Sequence, residues 1–308
     1  MQKQSLVLNG RRADHGGVTD QLETTRTGTT AAAVVLAVVV WASAFVAIRA
    51  VGHALSPAPL ALLRLAVAAA ALTVIAVVKG VRIRLSRQSF LLVSAYAVLW
   101  LAGYTVALNA GERHVDAGTA ALLVNLAPLI VAFAAGRFLG EGFPRPLIIG
   151  AVVSLGGTAI IAAGASAERD LGGVLLCLLA AALYAAGVLI QKVALRDVDG
   201  LTAIWLGCVI ATVVLLPWAP QLVGELRTAP AGAIAGAAYM GIFPTAIGFT
   251  AWAYALRRMD AGRLTTTTYA VPAVSVVLSW LLLGEIPTVY GLVGGVICLI
   301  GVAISRRG

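Results

Sequence analysis

A succession of long apolar runs, from about residue 31 to residue 305, constrains this chain more than any other feature. A helix needs roughly 20 apolar residues to cross the hydrocarbon core of a bilayer. Of all residues, 60% are hydrophobic and 11% are charged, whereas soluble domains have about 45–50% and about 25%. We therefore expect an all-α integral membrane protein with ten transmembrane helices, covering about 31–50, 57–78, 89–110, 117–138, 146–164, 172–191, 200–218, 231–255, 263–283 and 287–305.

The first 30 residues differ from the rest, because they mix charged side chains with glycine and threonine. Such a composition cannot pack a core and predicts a flexible tail. The apolar run that follows is long and shows no small-residue cleavage site, which argues against a removed signal peptide. The three cysteines, Cys177, Cys208 and Cys298, fall inside apolar runs, and we interpret them as buried small side chains without a disulfide or a metal site.

The distribution of basic residues predicts the orientation in the membrane. If the N-terminus is cytoplasmic, 17 of the 22 Lys and Arg residues lie on that side, 3 lie on the far side, and Arg49 and Arg64 lie within or at the edge of spans. This bias follows the positive-inside rule for an even number of spans. It predicts a bacterial inner-membrane protein with both termini cytoplasmic, and it explains the net charge of +9 without nucleic-acid binding.

An internal duplication appears when the sequence is shifted by 144 residues. "RHVDAG" at 113–118 then aligns with "RRMDAG" at 257–262, Pro128 with Pro272, and "LGE" at 139–141 with "LGE" at 283–285. Over positions 107–160 there are 15 identities in 54. Each repeat, 31–164 and 171–305, holds five spans, and an odd number inverts the second repeat relative to the first, as in many secondary transporters.

Four carboxylates lie at matching corners of the two repeats. Glu141 and Glu285 lie at matching corners after the fourth and ninth spans, and Glu285 can accept bonds there from the amides that start the following helix. Asp116 and Asp260 stand just before the fourth and ninth spans, and the same capping role is expected of them. A role of Glu285 in gating or ion coupling is the alternative.

Taken together, the two five-helix halves, the proline-containing helices that run into "LGE" corners and the glycine-rich fifth and tenth spans resemble the EamA family of the drug/metabolite transporter superfamily. The resemblance covers residues 31–305. It implies export of amino acids, metabolites or drugs, with aromatic amino acid exporters as one branch. It also implies that the fifth and tenth spans lie at the edge of the bundle. There they would pack against each other or against a second protomer, which leaves a homodimer open.

Signs of other chemistry are missing from the sequence. It has no nucleotide-binding, serine-hydrolase or zinc-protease motif, and we predict no cofactor. All 13 acidic residues lie in the tail, in loops or at span ends, whereas proton-coupled antiporters commonly carry a carboxylate or histidine within the membrane. The sequence thus favours a facilitator. A proton-coupled antiporter is the alternative, and a membrane enzyme acting on lipid-linked substrate or a non-transporting scaffold is less well supported.

Polar and aromatic side chains at mid-membrane depth are the candidates for substrate binding. Tyr96 and Tyr104 stand four residues on either side of Trp100, which predicts one shared helix face. Asn125 and its repeat partner Tyr269 each precede a proline by three residues. The predicted set is Trp41, Arg64, Tyr96, Trp100, Tyr104, Asn125, Tyr184 and Tyr269. The alternatives are ordinary packing for the aromatics and pairing or snorkelling for the arginine.

This mixture of side chains suits a small, amphipathic and zwitterionic solute. Apolar surface with a few polar anchors is typical of small-molecule sites. An arginine inside a span can hold a carboxylate through two hydrogen bonds. We therefore expect an exporter of amino acids, including aromatic ones, that works by alternating access.

Overall fold

The structure, a computed structural model, describes residues 28–44, 46–47, 51, 54–114, 120, 123–163, 171–284, 288–305 and 307. Our expectations for Asp116, Glu285 and residues 1–27 of the tail lie outside these residues, whereas residues 28–30, also expected in the tail, begin a helix. The described part is helical and contains no strand. Its helices are α1 Gly28–Ala44, α2 Pro57–Val78, α3 Arg87–Gly111, α4 Ala127–Leu139, α5 Arg145–Ala163, α6 Leu171–Ala194, α7 Gly200–Leu226, α8 Ala231–Leu256, α9 Ala261–Leu282 and α10 Val289–Ser305.

Six of these helices, α2, α3 and α6 to α9, are long and apolar enough to cross a membrane. The apolar stretches of α1, α4, α5 and α10 are shorter within the described residues. Many large apolar side chains on the outside of the bundle, such as Val78, Phe138 and Leu282, are more than 60% exposed. A surface of this kind suits lipid as its solvent.

Proline and glycine interrupt several of the long helices. Pro244 lies in a π-helical stretch, Gly241–Ile247, within α8. Pro128 stands in the first turn of α4, directly after a non-helical turn at Asn125–Leu126. A 3₁₀ turn, Thr267–Tyr269, occupies the corresponding place in α9 before Pro272. Since proline removes a backbone donor and clashes with the preceding turn, such breaks are expected there.

α5 and α10 pack directly against each other through small residues. A Cβ atom added to Gly157 would lie 2.6 Å from the Gly294 carbonyl oxygen, and one added to Gly150 would lie 2.5 Å from that of Gly301. The two contacts are related by the repeat: Gly150 corresponds to Gly294, and Gly157 corresponds to Gly301, each pair being 144 positions apart. The other small pair of α10, Gly291 and Gly295, faces α9 instead. The two helices thus bury these contacting glycines within the chain.

Two other positions 144 residues apart share a backbone conformation. Gly140 and Gly284, in the two "LGE" corners, have φ angles of 74° and 68°. Only glycine adopts this left-handed region readily, and it commonly ends a helix there. The two corners are therefore built alike.

Glu141 caps a helix of the other repeat. Its carboxylate accepts hydrogen bonds from the amides of Ala261 (2.8 Å) and Gly262 (3.1 Å), which start α9. The capping role expected of Asp260 was wrong, since its side chain makes no cap hydrogen bond. The physical reason is that Glu141 reaches the first amides of α9 and stabilises the positive end of that helix across the repeat boundary.

Candidate functional site

A cavity of about 110 Å³ lies between the two halves of the chain. Helices α1, α2 and α3 contribute to its wall from the first half, and α6, α8 and α9 contribute from the second. Six of the eight residues singled out in the sequence line it: Trp41, Arg64, Trp100, Tyr104, Asn125 and Tyr184. The lining also includes Thr105, Asn109, Phe249 and Thr268, which the sequence reasoning missed.

Aromatic rings form the apolar part of the cavity wall. Trp100 stacks on Tyr184 with ring centroids 5.1 Å apart and meets the edge of Phe249 at 4.9 Å. Trp41 lies 5.3 Å from Phe249 and 5.0 Å from Trp252, in tilted or edge arrangements. Such geometries are favourable for aromatic pairs. The cluster therefore presents a preformed surface for an apolar or aromatic group.

The proline of α8 positions two lining residues from the first half of the chain. The Trp41 indole donates a hydrogen bond to the Pro244 carbonyl oxygen at 3.0 Å. The Thr245 hydroxyl donates to the Met240 carbonyl oxygen at 2.8 Å, which Pro244 deprives of its usual helical donor. The same hydroxyl oxygen accepts a bond from Nε of Arg64 at 2.6 Å.

Arg64 is the one charged side chain among the described lining residues. Its Nε is bound to Thr245, and no described residue accepts a hydrogen bond from its two terminal nitrogens. A guanidinium in an apolar span is costly without a partner. The pair of terminal N–H groups matches the two oxygens of a carboxylate, so the arrangement can bind an anionic group in the cavity.

Further polar groups lie around the cavity. The Asn109 amide donates to the Pro57 carbonyl oxygen at 3.1 Å, and the Asn125 side chain lines the cavity beside the helix break before Pro128. The Tyr184 hydroxyl is buried beside the side chain of Thr268, which also lines the cavity. These two hydroxyl groups add polar atoms to the wall.

The remaining two predicted residues do not line the cavity. Tyr96 is fully buried, and its hydroxyl donates to the Ala203 carbonyl oxygen at 2.7 Å, on the α7 side. Tyr269 is also fully buried, and its hydroxyl donates to the Asn125 carbonyl oxygen at 2.8 Å. Trp100 and Tyr104, both within the π-helical stretch 97–104, line the cavity. The expected shared face was wrong for Tyr96, which lies before that stretch and faces α7. A buried tyrosine hydroxyl needs a hydrogen-bond partner, and Tyr96 finds one in a backbone carbonyl of α7.

Some of the missed residues left a signal in the sequence. Asn109 is polar near the end of the third span, and the cavity-facing side of α3 carries Tyr104, Thr105, Leu108 and Asn109 at helical spacing. Glu112 follows on the same face, directly after the span. One of its carboxylate oxygens is buried without a hydrogen-bond donor. The sequence placed this residue at a span end and gave no sign of its enclosure.

Comparison with known proteins shows that one family model matches the chain twice. The model of the EamA-like transporter family matches residues 29–163 and 171–307. A crystal structure described only as that of a protein superposes with a TM-score of 0.76 at 19% identity, covering 91% of this chain and 98% of that one. At this identity the likeness shows the fold alone. It supports the helical arrangement over nearly the whole chain.

Two relatives carry more sequence similarity. The chain is 38% identical to a "Probable terminal-alkyne amino-acid exporter" of Streptantibioticus cattleyicolor over 279 residues, which is 89% of this chain and 92% of the relative. It is 34% identical over 270 residues to the "Uncharacterized transporter YdfC" of Bacillus subtilis, covering 86% and 87%. Both names describe transporters rather than enzymes. With the family model matching both halves, this chain belongs to the EamA-like transporter family and is a multi-pass membrane transporter.

Proposed function

We propose that this protein exports small amphipathic amino acids, including aromatic ones, by alternating access through the cavity between its halves. The observation that carries the proposal is the placement of Arg64. Its terminal nitrogens, from which no described residue accepts a hydrogen bond, lie in the same cavity as the ring cluster of Trp41, Trp100, Tyr184 and Phe249. An amino acid with an apolar side chain offers its carboxylate to the guanidinium and its side chain to the rings.

The ligand orientation follows from this chemistry. The carboxylate binds the guanidinium of Arg64, and the side chain contacts the aromatic rings. The remaining polar groups, among them the Asn125 amide and the Tyr184 hydroxyl, are the partners for the ammonium group. The amino-acid exporter from Streptantibioticus, at 38% identity, supports the same substrate class.

The architecture in this proposal is ten membrane-spanning helices in two inverted repeats, residues 31–164 and 171–305. The reciprocal contacts of α5 and α10 support it, since a two-fold axis relating the halves would produce them. The hydrogen bond of Ser154 to the Cys298 carbonyl oxygen joins two positions 144 apart and would lie on that axis. Both termini are proposed to be cytoplasmic in the bacterial inner membrane, from the distribution of basic residues. Homodimerisation stays a prediction.

The proposed mode is facilitated transport down the solute gradient. The described lining of the cavity contains no Asp, Glu or His side chain that could bind a proton within the path. Free energy from a proton gradient requires a group whose proton affinity or access differs between the two conformations. The solute gradient therefore sets the direction of net movement.

The test is counterflow of labelled amino acids in liposomes that contain only this protein. We expect uptake of tryptophan and phenylalanine. Arg64→Gln should lower the apparent affinity at least tenfold, because it removes a charge-assisted hydrogen-bond pair worth about 1.5–3 kcal/mol. Arg82→Gln, in the exposed loop after α2, is the matched control and should transport as the wild type does. Equal transport by the Arg64 variant would contradict the proposed site.

A further inference from the structure

Glu112 has a position that the proposed transport mode does not use. It follows α3 directly, on the face where Tyr104, Thr105, Leu108 and Asn109 line the cavity. Its spacing from Leu108 and Asn109, four and three residues, places it one turn beyond them. The carboxylate is therefore a neighbour of the cavity and does not belong to its described lining.

The surroundings of Glu112 leave its carboxylate incompletely satisfied. Its Oε1 atom is buried and has no hydrogen-bond donor. Among the described residues, the titratable groups that interact with it electrostatically are Arg64 on α2, Tyr104 on its own helix and Cys177 on α6. The next residue, Arg113, donates to the Leu55 carbonyl oxygen at 2.9 Å and is occupied there. A buried carboxylate oxygen without a donor favours the protonated form of the group.

We propose that Glu112 is a proton-binding site whose charge sets how tightly Arg64 holds an anionic group in the cavity. The ionised carboxylate competes electrostatically with that anion for the guanidinium. The protonated carboxyl does not, so Arg64 then attracts the anion more strongly. The inference rests on the proposed function only for the identity of the anion, a substrate carboxylate.

The direction of the pH effect follows from the charge states. Burial raises the pKa of Glu112 to about 7, and the nearby Arg64 opposes part of that increase. Below this pH the group is neutral and anion binding is tight. As the pH rises through about 7, Glu112 ionises and the affinity falls. By linkage, a bound anion raises the proton affinity of Glu112 by the same factor.

Infrared spectroscopy of the purified full-length protein tests the proton site without any substrate. The carbonyl stretch of a protonated carboxyl group should disappear as the pH is raised from about 5 to about 9, with a midpoint near neutral pH. Glu112→Gln should remove this titrating band. Glu225→Gln should keep it, because Glu225 already accepts bonds from the amide and hydroxyl of Ser56. A wild type with no such band, or a Glu112→Gln variant that retains it, overturns the proposal.

Calorimetric binding tests the link to Arg64. The probes are tryptophan and indole-3-propionate, which has the carboxylate and the ring but no amino group. We expect the wild type to bind both about three- to tenfold more tightly at about pH 6 than at about pH 8. Glu112→Gln should bind with the tighter affinity at both values. Arg64→Gln should bind weakly at both.

The outcomes separate this inference from the proposed function. If indole-3-propionate binds with the expected pH dependence but no amino acid is transported, the proposed function fails and the proton site stands. If amino acids bind with an affinity that does not change with pH, the proton site fails and the proposed function stands. Glu112→Asp guards against misfolding of the glutamine variant. It keeps an ionisable group and should restore a pH-dependent affinity, whereas loss of pH dependence in a folded aspartate variant contradicts the role.

Discussion

At the scale of single residues, one proline organises the contacts by which α8 holds Trp41 and Arg64 of the first half of the chain. Pro244 leaves the Met240 carbonyl oxygen to the Thr245 hydroxyl, and that hydroxyl holds Nε of Arg64. With Nε occupied, the two terminal nitrogens of the guanidinium remain for a ligand. The hydroxyl thus orients the cation, and a change at Thr245 should act on binding through Arg64.

We expect Thr245→Val to raise the apparent KM for amino acid transport about five- to tenfold, because a hydrogen bond to a charged group contributes about 1.5–3 kcal/mol and part is recovered by rearrangement. Counterflow in liposomes measures it. Thr250→Val is the matched control on the same helix, since the Ala246 carbonyl oxygen is the one partner of the Thr250 hydroxyl among the described residues. An unchanged KM in the Thr245 variant, or an equal change in the control, would show that Arg64 is oriented by other contacts.

Much of the cavity lining could be predicted from the sequence, because polar and aromatic side chains at mid-membrane depth are costly or unusual and so stand out. The same reasoning failed for Tyr96 and Tyr269, because the sequence does not show which backbone carbonyl each hydroxyl binds in the folded bundle. Phe249 was missed for a different reason. An apolar ring in an apolar span gives no sign of facing a cavity.

At the scale of helices, contacts between distant segments decide the arrangement, and the repeat is the sequence feature that predicts part of them. The shift of 144 residues predicts that the two "LGE" corners share a structure, as Gly140 and Gly284 do. It does not show that Glu141 reaches the amides of Ala261 and Gly262, 120 and 121 residues away. Capping rules predict which groups need partners, but in a bundle the partner can come from any neighbouring helix.

Two adjacent glycines on α5, Gly156 and Gly157, provide a matched test of the contact between α5 and α10. We expect Gly157→Ala to lower stability by about 1–3 kcal/mol, because the added Cβ would lie 2.6 Å from the Gly294 carbonyl oxygen. At Gly156 nothing lies within 4 Å of an added Cβ. Gly156→Ala should therefore be neutral or slightly stabilising, since alanine favours the helix. Thermal unfolding in detergent measures both, and equal melting temperatures would show that α5 and α10 are separated in the membrane.

At the scale of the whole molecule, the inverted repeat that we propose would place corresponding corners on opposite sides of the membrane. We expect single cysteines at Phe143 and Thr288, both exposed after an "LGE" corner, to react with a membrane-impermeant reagent from opposite sides. Phe143→Cys should be labelled from the cytoplasmic side and Thr288→Cys from the far side. The distribution of Lys and Arg underlies this expectation. Labelling of both from one side would exclude the inverted arrangement.

The side of the membrane from which Glu112 exchanges its proton decides whether protons regulate transport or drive it. Glu112 lies at one end of α3, beside the exposed residues Arg113 and His114, so we expect protons to reach it from one side of the membrane. A proton that binds and leaves on the same side in both conformations supplies no free energy to the solute. We therefore expect a pH gradient across liposomes to change the rate of tryptophan transport while the final inside and outside concentrations become equal. Liposomes in which an ionophore collapses the gradient are the control. Accumulation beyond equality, abolished by the ionophore, would show that protons move with or against the solute and that facilitated transport is wrong.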